Sequence, residues 1–138
     1  MIVGFPGETD AEFGRTLEFI RSAAFSDMHV FPFSPRPGTR AADMPGQVSK
    51  AVRRERAGAA SAVAADMALA FRRGLVGKSV EVLFERERGG FWVGHSDNYV
   101  EVSVRGVGAR NMVCPVVVTG VEGGDCGCVV FGELLVTN

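Results

Sequence analysis

The chain has 138 residues, 46% apolar and 22% charged, a balance that excludes a disordered tail and allows one ordinary domain or two small ones. Its net charge of −1 excludes a global positive field for nucleic acid. No apolar run is long enough to span a bilayer, Met1-Ile2-Val3-Gly4 lacks the basic start of a signal peptide, and three cysteines suit no disulfide framework, so the expectation is a cytoplasmic protein with no membrane partner.

Ile2-Val3 reads as the tail of an apolar strand, too short to stand alone. Gly4-Phe5-Pro6-Gly7-Glu8-Thr9 is a tight loop. Thr9 and Glu12 form a capping box, and Phe13, Leu17, Ile20 and Ala24 line one face of the helix that follows. Met28 to Phe33 then reads as a strand with a proline near its end. Strand, helix and strand make the repeating unit of a parallel α/β fold. One such unit leaves Leu17, Ile20, Val30 and Phe31 without a barrel to enter, and self-association is one way to cover them.

Ser34 to Thr39 is a stiff loop, and turn residues continue to Gly46. Ser49 is the candidate cap of a long helix over 49–73. Val52, Ala59, Val63, Met67 and Phe71 form its apolar stripe, Arg72 and Arg73 suit its last turn, and Gly74 its stop. Beyond it the pattern changes to five short strands separated by glycine-rich turns: Val80–Glu85, Phe91–Gly94, Tyr99–Val104, Met112–Thr119 and Val129–Val136. That spacing predicts a small closed barrel. The fold class is therefore α+β. Charge divides unevenly: residues 1–74 carry ten Lys/Arg against eight Asp/Glu, a net of +2, and residues 75–138 five against eight, a net of −3.

Three motifs carry a family resemblance. Ile2-Val3-Gly4-Phe5-Pro6-Gly7-Glu8-Thr9 resembles a late-strand motif of radical-SAM methylthiotransferases. His29-Val30-Phe31-Pro32-Phe33-Ser34-Pro35-Arg36-Pro37-Gly38-Thr39 resembles the motif that ends the next barrel strand in that family, and the order, gap and intervening capped helix match. Gly94-His95-Ser96-Asp97-Asn98-Tyr99-Val100-Glu101-Val102 resembles the middle of the family's TRAM domain, a small OB-like barrel that holds tRNA. The resemblance is greatest to the threonylcarbamoyladenosine branch. The isopentenyladenosine and ribosomal-protein branches share the first motif.

The resemblance implies three parts: 1–48 the end of a radical-SAM β/α barrel, 49–74 a linker helix, and 75–138 a five-stranded TRAM barrel. It implies that Gly4, Phe5, Pro6, Phe33 and Ser34 edge an S-adenosylmethionine pocket, in keeping with ligand sites at the carboxyl ends of barrel strands. Read without the family, Gly-Phe-Pro-Gly is a plain turn. The resemblance further implies tRNA as partner, with Lys78, Trp92, His95, Asn98, Tyr99, Arg72 and Arg73 as contacts. Aromatics would stack bases and cations would meet phosphates. Core packing is the alternative for Trp92 and Phe91, one of which must face inward by strand alternation. A hairpin turn is the alternative for His95 to Asn98, and a solvated helix face for the arginines.

The CxxxCxxC of radical-SAM enzymes is absent from the sequence. Cys114, Cys126 and Cys128 lack the spacing and the fourth ligand of a zinc site. No catalytic residue, metal or cofactor is therefore expected on this chain alone, which is expected to be inactive. The full-length enzymes it resembles carry S-adenosylmethionine and 4Fe–4S clusters. A free-standing, non-catalytic RNA-binding module is the reading from a different class.

Overall fold

A computed structural model describes residues 1–106, 110–124 and 127–135. Cys126 and Val136 lie outside the described residues, as does the side chain of Cys128. The chain divides into two compact units, Met1–Ala68 and Leu69–Asn138, and the long helix contributes to both. No helix among the described residues is long and apolar enough to cross a membrane.

The first unit opens with β1 (Ile2–Val3), paired in parallel with β2 (Phe31–Pro32). Between them runs α1 (Asp10–Ala23). Its start is the capping box: Thr9 Oγ1 accepts from the Glu12 amide, and Glu12 Oε2 accepts from the Thr9 amide at 2.8 Å. Two amides that the first turn would otherwise leave unpaired are thereby satisfied. The helix stops at Ala24, which takes left-handed angles. The strand expected over Met28–Phe33 is only two residues long, because just Phe31 and Pro32 find partners on the equally short β1. A four-residue helix, α2 (Arg40–Asp43), interrupts the loop expected to run to Gly46. Val3 and Ile20 are buried, while Phe31 is exposed.

The long helix α3 spans Lys50–Arg73. Ser49 caps it: its side chain accepts from the Val52 amide at 3.3 Å. The buried face is Arg56, Ala60, Val63, Ala64 and Ala68; of the expected stripe Val63 lies on it, Val52, Met67 and Phe71 are half-buried, and Ala59 is exposed. Arg56 lies on the inward face one turn before Ala60. A pattern that counts only apolar residues passes over it.

The second unit is a closed barrel of β3 (Ser79–Arg88), β4 (Phe91–Ser96), β5 (Glu101–Arg105), β6 (Val113–Gly124) and β7 (Gly127–Leu134). Their order around the barrel is β3-β4-β5-β7-β6. β5 and β7 run parallel, and every other neighbouring pair is antiparallel. That is the five-stranded arrangement of an OB-like fold. β3 closes it by serving two neighbours, pairing β6 along Ser79–Leu83 and β4 along Val82–Arg88. A register shift between Phe84 and Arg86 lets the strand bend from one to the other. Alternation along β3 sends Val80, Val82 and Phe84 inward, where they meet Val102, Val116, Val118 and Val130. Each such side chain contributes roughly 1.5–3 kcal/mol on full burial. Two glycines permit this packing. A Cβ on Gly94 would lie 2.1 Å from the Leu83 carbonyl oxygen, and one on Gly132 would lie 2.3 Å from a Val116 methyl.

Candidate functional site

The loop Gly4–Thr9 is fastened to α3 by two arginines. Gly4 takes left-handed backbone angles and donates its amide to Glu8 Oε2 at 2.7 Å. The same carboxylate oxygen accepts from Arg56 Nη1 at 2.6 Å, and Nη1 also donates to the Glu8 carbonyl. Arg56 Nη2 donates to Asp10 Oδ1 at 2.6 Å. Arg56 is 6% exposed, and its guanidinium lies over the Phe13 ring at 5.4 Å. The hydrogen bond to Asp10, followed by those to Glu8, raises its pKa against the opposing effect of burial. A planar fork places donors on separate nitrogens, so one guanidinium reaches both carboxylates from fixed directions, where an ammonium offers a single nitrogen.

Arg53, one turn earlier, donates Nη1 to the Phe33 carbonyl. The rings of Phe33 and Phe5 meet edge to face, with centroids 5.2 Å apart. Gly4, Phe5 and Phe33 are thus brought together, Pro6 is buried beside them in sequence, and Ser34 lies exposed on a cavity with Arg53. Neither Arg53 nor Arg56 was anticipated at this loop. The available signal was an arginine at an inward position of an otherwise small-residue face, matched by two acids in and after a glycine loop. A cofactor at the Phe33–Ser34 edge would meet aromatic surface, a hydroxyl and the cations Lys50, Arg53 and Arg54. Among the described residues no three His, Cys, Asp or Glu side chains converge as metal ligands.

In the barrel unit, Tyr99 is the most exposed aromatic side chain, at 88%. Ser96–Tyr99 is a turn: Tyr99 donates its amide to the Ser96 carbonyl at 2.9 Å, and the Ser96 hydroxyl accepts from the Val100 amide at 3.1 Å. Tyr99 therefore ends a turn, with φ of 63°, and does not begin β5, where alternation would have placed it. Asn98 is held through its Oδ1 by the Ser96 hydroxyl at 2.6 Å. His95 Nδ1 lies 3.2 Å from Glu85 Oε2.

Trp92 packs partly buried against the barrel core, so it is the inward member of the Phe91–Trp92 pair. Phe91 is the outward one, edge to face with Phe131 at 5.9 Å and under the Arg105 guanidinium at 5.3 Å. Lys78 is exposed in the turn before β3, where Gly77 donates its amide to the Val118 carbonyl. Arg73 is exposed and Arg72 half-buried at the end of α3. A groove of about 530 Å³ runs beside Tyr99 and His95, and its charged walls are Glu81, Glu85 and Asp97. Its sign opposes a phosphate backbone.

No family model matches the sequence. Curated relatives do. The threonylcarbamoyladenosine tRNA methylthiotransferase MtaB of Thermotoga maritima is 47% identical over 85 residues, which is 62% of this chain and 20% of the relative. The tRNA-2-methylthio-N(6)-dimethylallyladenosine synthase of a Parafrankia species is 45% identical over 89 residues, covering 64% of this chain and 18% of the relative. The ribosomal protein uS12 methylthiotransferase RimO of a Synechococcus species is 38% identical over 143 residues, covering 97% of this chain and 30% of the relative. The chain thus spans less than a third of the length of each of these relatives.

Proposed function

We propose that this chain, a homologue of the methylthiotransferases, is the carboxy-terminal part of a radical-SAM tRNA methylthiotransferase. In this reading residues 1–48 close the catalytic barrel, 49–74 link, and 75–138 are a TRAM domain that holds tRNA. The reaction served is insertion of a methylthio group into a modified adenosine beside the anticodon, threonylcarbamoyladenosine in the branch preferred here. S-adenosylmethionine and iron–sulfur clusters would supply the radical and sulfur chemistry, with the cluster thiolates outside these residues. What this chain supplies is positioning. Glu8, locked by Gly4 and Arg56, holds the loop that carries Phe5, while Arg53 holds Phe33 against it. The observation that carries the reading is the OB-like strand order of β3–β7 with Tyr99 displayed on a tight turn. Such barrels bind nucleic acid through surface aromatics.

A second reading has its own support. The acidic groove of Glu81, Glu85 and Asp97 suits a basic protein better than a phosphate backbone, and a relative named for ribosomal protein uS12 matches 97% of the chain. One experiment separates the two. Purified chain is titrated with unmodified tRNA and with uS12 at about 50 and about 200 mM salt, a range over which phosphate contacts fade steeply. The tRNA reading expects retardation of tRNA at low salt and none of uS12. Capture of uS12 without tRNA establishes the second reading, and binding of neither removes both.

A further inference from the structure

The first turn of α3 breaks a rule that helices ordinarily keep. Helix starts favour acids, because the unpaired amides there carry a partial positive charge. α3 has no acid in its first turn. It begins instead with Lys50, and Arg53 and Arg54 follow within four residues. Lys50 and Arg54 are four apart, so like charges share one helix face and repel. Among the described residues none of the three cations makes an ion pair. A local rule broken without an internal compensation marks a functional position.

The three cations line one cavity of about 390 Å³, whose opposite wall is Pro32, Phe33, Ser34 and Pro35. Ser34 brings a hydroxyl, and no carboxylate lines the cavity. Arg53 is held at one end by the Phe33 carbonyl. Its Nε is buried with no hydrogen-bond partner. That nitrogen is closed to solvent, so the cavity meets Arg53 through its other atoms. The cavity therefore offers two exposed cations, one anchored guanidinium, a hydroxyl and the start of a helix.

We propose that this cavity is a phosphate site, with Lys50 and Arg54 as the cations that close on the ligand and Arg53 as its fixed floor. The ligand class is a phosphate group, borne by an RNA backbone or free in solution. The site is distinct from the barrel face at Tyr99, so it does not depend on the tRNA reading. Were both correct, the nucleic acid would be held by the first unit as well as by the barrel.

The test keeps Arg53 in place, because it braces Phe33 and Gly4. Amide chemical shifts of Lys50–Arg54 are followed by NMR in the wild type and in the Lys50→Gln/Arg54→Gln double variant. The probes are inorganic phosphate, a short single-stranded RNA and acetate. The expected result is saturable shifts with phosphate or RNA and none with acetate, weakened at least tenfold in the double variant. If RNA is the source, the slope of log K against log salt also falls by one to two phosphate contacts, each worth about 0.7 for a single strand. If phosphate alone shifts these amides, the source is a free phosphate and the site stands. Equal shifts with acetate, no shift with any probe, or undiminished binding by a double variant of unchanged circular dichroism overturns it. Tyr99→Ala in parallel reports on the barrel, and undiminished RNA binding by it, with these shifts intact, would count against the barrel site alone.

Discussion

Gly4 and Arg53 touch so closely that the glycine has no room for a side chain. A Cβ on Gly4 would lie 2.3 Å from Arg53 Cγ and 3.3 Å from its Cα. The Cα belongs to the helix backbone and cannot swing away. The left-handed φ of 71° adds a second reason for glycine. Gly4→Ala is expected to push α3 off the loop and cost about 1–3 kcal/mol, the usual range for forcing an atom into a filled site. Denaturant unfolding measures the loss, and an unchanged midpoint would show that the loop is not clamped.

Arg56 is the second clamp. Arg56→Met leaves the Glu8 carboxylate, 15% exposed, without its cation. Removing one member of a buried pair costs about 3–5 kcal/mol, and the low end is expected because Asp10 stays in water. Arg56→Lys keeps the charge but not the fork, and should lose part of that. A Glu8→Gln/Arg56→Met double variant should be more stable than the sum of the single losses implies. Strict additivity would mean that the pair is not coupled.

The acid stability of α1 follows from its cap. The Thr9 amide, followed by the Thr9 hydroxyl, holds the Glu12 carboxyl below the ordinary glutamate range. A depressed folded pKa means that the unfolded chain takes up protons first. The stabilisation is therefore present above the ordinary glutamate pKa and is lost as pH falls through the folded one. Helicity of α1 should decline as pH falls below the ordinary glutamate range in the wild type and less steeply in Glu12→Gln. Parallel profiles would separate the cap from the titration. Thr9→Ala should cost about 1 kcal/mol at neutral pH.

The parts of the fold legible in sequence are those in which one residue type has one local use. Thr9 and Glu12 at capping-box spacing and Ser49 before a helix behave as their chemistry requires, while Gly74 follows α3 without the left-handed angles of a glycine stop, continuing the helical bonding through its amide to the Ala70 carbonyl. The five strands of the barrel follow from valine alternation. Arg56 was invisible because its burial depends on two acids 46 and 48 positions away, and no local pattern records that pairing. Tyr99 was misplaced by one turn because alternating valines pull a neighbouring aromatic into the strand, while Ser96 had already closed a turn on it. The inward turn of Trp92 was an open choice in sequence, decided by its packing on the barrel core.

Gly94 sits within the motif that carries the barrel resemblance, and its use is steric. Leu83 O, Leu83 C and Phe84 Cα would all lie within 2.7 Å of a Cβ there. The position is next to the register shift of β3, where the strands approach most closely. Gly94→Ala should open β3 from β4 and expose Phe84, so cooperative unfolding of the barrel is expected to weaken by several kcal/mol or vanish, in line with severe overpacking. Retention of the wild-type midpoint would require a backbone shift that the closed barrel does not allow.

Tyr99 joins two properties that seldom coincide without use. It is a bulky residue at φ of 63° and it is 88% exposed. A non-glycine residue pays roughly 1–2 kcal/mol to sit in the left-handed region, and burial returns almost nothing here. Asparagine or glycine would serve the turn better. The ring must then be kept for what it can touch. Tyr99→Gly is expected to leave folding stability unchanged or raise it by less than about 1 kcal/mol, since relief of the turn is partly offset by the freer unfolded chain. The same change should weaken tRNA binding at low salt by about 1–3 kcal/mol, the worth of one stacked base, or roughly 5- to 150-fold. Tyr99→Phe should retain binding, because stacking needs the ring and not the hydroxyl. Thermal unfolding and tRNA titration of the three proteins decide the matter. If Tyr99→Gly loses stability, the ring has a structural use in the turn. If it binds tRNA as well as the wild type, the stacking surface lies elsewhere, and Phe91 with Arg105 is next to be replaced.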